Sequence, residues 1–245
     1  MRVNLLFLCL IPLILLSSCK KDQQKIMMEE AKLAAEASLN LDLNKLRNNL
    51  KDAKTNEDRA VIQAKIVNIN IEKGNIIESV NSSKELVKFQ PNQYFSHYLL
   101  GKSYLQAGRY REAETELIVS INLKKDFALS HFELGNTYYK MRQYNRAETE
   151  FKTAINLDNT LYMAHNNLGV VKSLQGENNE AVRSIETAIK LKPDFATSYK
   201  NLGIIYDLKL KNKVLALKNY RKYIETSPNC PDRNLILTWI RVLGG

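Results

Sequence analysis

Four glycines, Gly101, Gly135, Gly169 and Gly203, stand 34 residues apart, and the period extends well beyond them. Leu100, Leu134, Leu168 and Leu202 precede them, and His97, His131 and His165 keep the same spacing, with Tyr199 next in register. Tyr104, Tyr138 and Tyr206 follow three residues after their glycines, with Lys172 departing in the third unit, and Ala113, Ala147 and Ala181 follow twelve after theirs. Self-similarity at such a period marks one supersecondary unit copied along the chain. Two antiparallel helices per unit cannot bury their apolar stripes alone, so neighbouring units must stack into a solenoid. A glycine on one helix lets its partner approach closely, and the alanine on the second helix does the same from the other side.

The second unit reads His131-Phe132-Glu133-Leu134-Gly135-Asn136-Thr137-Tyr138-Tyr139, with Ala147 and Phe151 further on. This resembles the tetratricopeptide repeat, W-x2-L-G-x2-Y followed by A-x3-F and then proline. Leu117 and Ile185 replace the later aromatic in the first and third strong units. In the fourth, one extra residue in the loop from Lys209 to Lys213 brings Ala216, Tyr220 and Pro228 into place. A weaker copy upstream holds Ile66, Gly74, Leu86, Phe89 and Pro91 in register. The expected fold is all-α, a helix-turn-helix solenoid over residues 60–228. Its units are 60–93 (degenerate), 94–127, 128–161, 162–195 and 196–229. Asn92, Asp126, Thr160 and Asp194 share one repeat position and are expected to cap each first helix with a side-chain oxygen. Residues 230–245 hold a capping helix, Asp232 to Arg241, with Trp239 as packing, since a solenoid end needs covering. Residues 19–59 lack the repeat signature. Ile26, Leu33, Ala37, Leu41, Leu43, Leu46 and Leu50 amid charges predict helix there, as a cap on the stack or as a spacer.

In this family the first helices of the units line a concave groove, and the resemblance implies that repeat positions 2, 5, 9 and 12 face it. Spacings of three, four and three share one helical face. Carried onto this chain they are Phe95, Tyr98, Lys102 and Leu105, then Leu129, Phe132, Asn136 and Tyr139. The third unit supplies Met163, Asn166, Val170 and Ser173, and the fourth Thr197, Lys200, Ile204 and Asp207. Asn136 and Asn166, with Asn167 and Asn201 nearby, can each donate to and accept from the backbone of an extended peptide.

The chain opens with Arg2, an uncharged run from Leu5 to Leu16, the small pair Ser17 and Ser18, then Cys19. That is the pattern of an export signal, residues 1–18, too short for a spanning helix, which needs about 18 apolar residues or more. Leu16-Ser17-Ser18-Cys19 resembles the lipobox of bacterial lipoproteins, which implies cleavage before Cys19 and a lipid on its thiol. Two or three acyl chains then anchor the chain firmly. Lys20, where some bacteria read aspartate as an inner-membrane retention mark, points to the outer membrane, facing the periplasm. The other cysteines are Cys9, within the signal, and Cys230, so no disulfide framework can form.

The formal net charge is +10. From Ala196 onward nine lysines and arginines face Asp207, Glu225 and Asp232, an excess of six. Lys209, Lys211, Lys213, Lys218, Arg221 and Lys222 carry most of it, either as a solvated face or as a site for anionic lipid or an acidic partner. Nucleic acid is a poor partner for an exported chain. The histidines, one per unit, cannot share a metal, because helix axes lie about 8–10 Å apart and zinc holds each nitrogen near 2 Å. No nucleophile and base are suggested by spacing and no Gly-rich phosphate loop appears, so neither catalysis nor a cofactor is expected. The expected function is a lipid-anchored protein-interaction scaffold of the cell envelope that binds a peptide or protein in its groove. The alternative is an escort for assembly of an envelope complex, similar to the lipoproteins of this family that deliver secretin subunits for pilus biogenesis.

Overall fold

The computed structural model describes residues 42–244, which are helical throughout apart from short turns. Cys19, the export signal and most of the 19–59 segment lie outside the described residues. Residues 42–52 form α1. Five helix pairs follow: α2 Asn56–Lys73 with α3 Ile76–Phe89, α4 Tyr94–Gln106 with α5 Tyr110–Leu123, and α6 Ala128–Lys140 with α7 Tyr144–Leu157. Then come α8 Tyr162–Leu174 with α9 Asn178–Leu191, and α10 Ala196–Ile204 with α11 Lys213–Thr226. The final helix, α12, is Arg233–Val242. From α2 onward each helix packs on the next in sequence, and α2 also touches α4, α4 touches α6 and α6 touches α8, so the first helices share one surface. The degenerate unit begins at Asn56 rather than residue 60, because Thr55 caps α2 by accepting from the Asp58 amide.

Within a pair, closeness is set where the sequence placed glycine. A Cβ built on Gly101 would lie 2.6 Å from Leu117, on Gly135 2.7 Å from Phe151, on Gly169 2.5 Å from Ile185, and on Gly203 2.6 Å from Tyr220. In the degenerate pair the equivalent positions reverse the sizes, with Val67 in place of glycine and Ser83 in place of the large residue, both fully buried. Between pairs the contacts are small. Ser120 and Ser130 share a hydroxyl hydrogen bond of 2.7 Å, and their counterparts one period on are Ala154 with Ala164, then Ala188 with Ser198, all fully buried. Charge also ties units together. Glu114 accepts from Tyr138 and Arg146, and Glu148, one period later, accepts from Lys172, which holds Glu177 as well.

The turn within each pair needs one left-handed residue, and it recurs with the period: Gly74, Gly108, Arg142, Gly176 and Lys211, all with φ between 55° and 89°. Lys211 falls one place late. The extra residue of the fourth unit is absorbed not in the loop but inside the helix end, as a π-helical turn over Ile205–Lys209 in which the Leu210 amide donates to the Ile205 carbonyl.

The expected capping by Asn92, Asp126, Thr160 and Asp194 is not what these residues do. The residues that precede α4, α6, α8 and α10 are Gln93, Phe127, Leu161 and Phe195, and none makes a side-chain cap bond. Instead the amides of these four donate to the carbonyls of Gln90, Lys124, Asp158 and Lys192, closing four-residue turns. Asn92, Asp126, Thr160 and Asp194 are third in those turns, and turns favour the same residue types for a different reason.

At the C-terminal end α12 buries Ile236 and Ile240 with Tyr220 and Tyr223 of α11, and Trp239 packs on Tyr220 at 5.5 Å between ring centroids. Cys230 is buried in the same cluster. At the other end Leu43 of α1 is buried, and Arg47 pairs with Glu78 of α3 at 3.9 Å, so α1 covers the first pair.

Candidate functional site

The histidines are structural ties. His97 bonds Glu116 at 2.7 Å through Nδ1 and the Pro91 carbonyl at 2.8 Å through Nε2. His131 repeats this with Glu150 at 2.7 Å and Lys125 at 3.2 Å. His165 keeps only the carbonyl of Asn159, at 3.1 Å, and the Tyr199 hydroxyl donates to that of Pro193 at 3.0 Å. Each ring thus fastens the turn that leads into its helix. Hydrogen bonding to Glu150 outweighs burial and raises the His131 pKa above its ordinary value.

The concave surface formed by the first helices holds a cavity of about 350 Å³. Its apolar walls are Leu105, Tyr139 and Val170, and its polar lining is Asn136, Asn166, Asn167, Asn201, Thr197 and Lys140. The asparagines form one hydrogen-bonded ladder across three helices. Ser198 and Asn201 of α10 both donate to the Asn166 Oδ1 at 3.1 Å. Asn166 donates to Asn167 at 2.9 Å, Asn167 to Asn136 at 2.8 Å, and Asn136 to the carboxylate of Glu133 at 2.9 Å.

Glu133 sets the direction of this ladder. An ionised carboxylate only accepts, so Asn136 must turn its amide nitrogen toward it and its oxygen toward Asn167, and each later amide follows. Asn166 Oδ1 accepts twice and is saturated, while Asn136 and Asn167 each keep one N–H and one oxygen lone pair, and Asn201 keeps one N–H. The groove floor therefore offers both donors and acceptors. Glu133 is 8% exposed, and burial pushes its carboxyl pKa up, against the Asn136 hydrogen bond and the Lys102 charge that lower it.

The residues expected in the groove divide by depth. Phe95 is exposed and stacks on Tyr98 at 5.7 Å, but Tyr98 itself is buried against Phe127. Phe132 is buried against Phe151, and Asn166 and Ser173 are buried too. Tyr98 is covered by Phe127, Phe132 by Phe151 of its own pair, and Ser173 bonds Asn178 of α9, whereas Asn166 still lines the cavity. Lys102 sits over the Tyr98 ring at 5.9 Å. Leu129 and Met163 are half-buried against the main core, whereas Leu105, Asn136, Tyr139 and Val170 face the cavity. Lys200 is drawn away to Asp232 at 3.0 Å, and Ile204 packs in the C-terminal cluster. Asp207 accepts from the Tyr220 hydroxyl. Glu133 and Lys140 were missed by position counting. Glu133 had a signal, a carboxylate between the apolar Phe132 and Leu134 and three residues before Asn136.

Sequence models of the tetratricopeptide repeat match residues 128–161 and 164–195. The fold is a tetratricopeptide-repeat solenoid. Among solved structures, MamA shares 25% identity with a TM-score of 0.56, covering 66% of this chain and 95% of its own. YrrB, described as a TPR protein with an unusual peptide-binding site, shares 19% at a TM-score of 0.56, over 74% of this chain and 92% of its own. PilW, a type IV pilus biogenesis factor, shares 17% at 0.68, over 75% and 85%. The last two are likenesses of fold. No curated protein matches the sequence.

Proposed function

We propose that this solenoid is a protein-interaction scaffold whose groove holds an extended segment of a partner across α6, α8 and α10. The observation that carries this reading is the directed amide ladder. It fixes the orientation of each amide and leaves N–H groups of Asn136, Asn167 and Asn201 beside apolar Tyr139 and Val170. Main-chain carbonyls of an extended segment match such donors, and apolar side chains match the walls. YrrB, whose fold is similar and which is described as having an unusual peptide-binding site, supports this reading. The lipobox at Cys19 supports an anchor in the bacterial envelope, which raises local concentration for partners in the same membrane.

The test uses full-length chain recovered from cells with its bound proteins, beside Tyr139→Ala combined with Val170→Asp. Both side chains are only half-buried, so the variant keeps its helical circular dichroism, whereas truncating Tyr98 or Phe132 would damage the core. Loss of a stoichiometric partner is expected, and retention of every partner would refute groove binding. Fatty-acid labelling of the parent chain, absent in Cys19→Ser, checks the anchor separately, and an unlabelled parent removes it.

A further inference from the structure

The fourth unit carries a feature that the stack does not need. Around the π-turn that takes up its extra residue, Leu208, Leu210 and Val214 are exposed at 57%, 36% and 75%. Lys209, Lys211 and Lys213 alternate with them, and Lys218 and Arg221 follow on α11. From 208 to 224 the sequence has six cations and no acid. The flanking acids are engaged, Asp207 with Tyr220 and Glu225 with Lys222. Among the described residues Lys209, Lys211, Lys213, Lys218 and Arg221 form no ion pair, whereas Arg109 and Arg146, beside the equivalent turns of two earlier units, are paired with Glu112 and Glu114.

We infer that this turn and the first half of α11 form a second binding surface, which seats on an anionic lipid bilayer. Cations interleaved with aliphatic side chains match a layer of negative headgroups over acyl chains, each component meeting its own depth. A nucleic acid or an acidic polypeptide would satisfy the lysines but offers little to Leu208, Leu210 and Val214. Local insertions that re-aim a helix end as a π-turn are frequent at functional sites. The surface uses no residue of the groove, so the two readings stand or fall separately.

The full chain is placed on vesicles of phosphatidylcholine, alone or with a quarter phosphatidylglycerol, whose acyl chains carry bromine as a quencher. Leu208→Trp supplies the reporter, Val214→Trp a second, and the parent chain, whose Trp239 packs on Tyr220, the background. In the anionic vesicles reporter emission is expected to fall roughly twofold beyond background, because the reporter reaches the acyl chains. Replacing Lys209, Lys211, Lys213 and Lys218 together by glutamate is expected to weaken this lipid-dependent response by about tenfold or more, with circular dichroism unchanged. Absence of quenching at both reporters, equal quenching on neutral vesicles, or a reporter that responds only to added nucleic acid or polyglutamate would overturn the assignment.

Discussion

Replacing Gly169 by alanine adds one methyl group where two helices are closest. Its Cβ would stand 2.5 Å from the Ile185 side chain and 2.8 Å from the Ala181 carbonyl oxygen, where ordinary contact begins near 3.4 Å. Ile185 is fully buried and the carbonyl belongs to the backbone of α9, so relief requires the two helices to part. Overpacking of this kind costs about 1–3 kcal/mol. Alanine returns up to about 1 kcal/mol through its higher helix propensity. With the full return the expected net loss is up to about 2 kcal/mol. Urea unfolding followed by circular dichroism measures it, with Gly169→Ala made both alone and in an Ile185→Ala background. In that background the penalty should shrink, because only the carbonyl contact remains. A variant that is more stable than the parent, or a penalty unchanged by Ile185→Ala, would refute the claim that this glycine sets helix spacing.

Lys172→Met removes the cation that ties Glu148 to Glu177, and is expected to cost about 2 kcal/mol in the same assay, since hydrogen bonds to charged groups are worth about 1.5–3 kcal/mol. Burial would raise the Glu148 pKa, but Lys152, Lys172 and Gln175 overcome this and hold it near 2, so its contribution is complete above the unfolded value of 4.5 and is lost as pH falls toward 2. His131 and Glu133 both have raised values, so their contributions are complete below 6.5 and 4.5 respectively and are lost as pH rises through the folded values. For these groups together, melting temperature should peak in the weakly acidic range, and a continuous rise into alkaline pH would contradict the assignments. Glu133→Gln can still accept from Asn136 without a buried charge and should stabilise the protein at neutral pH, as thermal melting would show. Asn166→Leu strands Ser198 and Asn201 and should cost about 1–3 kcal/mol, measured by urea unfolding.

Much of the fold was legible because the period repeats the physics. Gly101, Gly135, Gly169 and Gly203 each face a large residue 16 or 17 positions later, and any one unit teaches the others. The helix starts were misread because asparagine and aspartate suit a turn as well as a cap, and only backbone geometry separates the two at Asn92 or Asp194. Groove direction was legible from helical spacing, but depth was not. Whether Tyr98 or Phe132 stays open depends on Phe127 and Phe151, which cover them from the next turn and from the second helix of the pair. The ladder joins residues 31 to 35 apart, so its asparagines were visible as candidates while their partners were not. The extra residue was legible but was expected in the Lys209–Lys213 loop, and its place in the turn Ile205–Lys209 directly after α10 follows from hydrogen bonding that spacing does not encode.

Photo-crosslinking in living cells reads out whether the groove holds an extended partner segment. A photoreactive phenylalanine analogue replaces Tyr139 at the cavity or Thr115 on the exposed face of α5. Crosslinking to one partner peptide from the Tyr139 position, with none from Thr115, is the result this account predicts. Crosslinks from Thr115 alone, with a silent Tyr139 position, would contradict it and move the binding surface out of the groove.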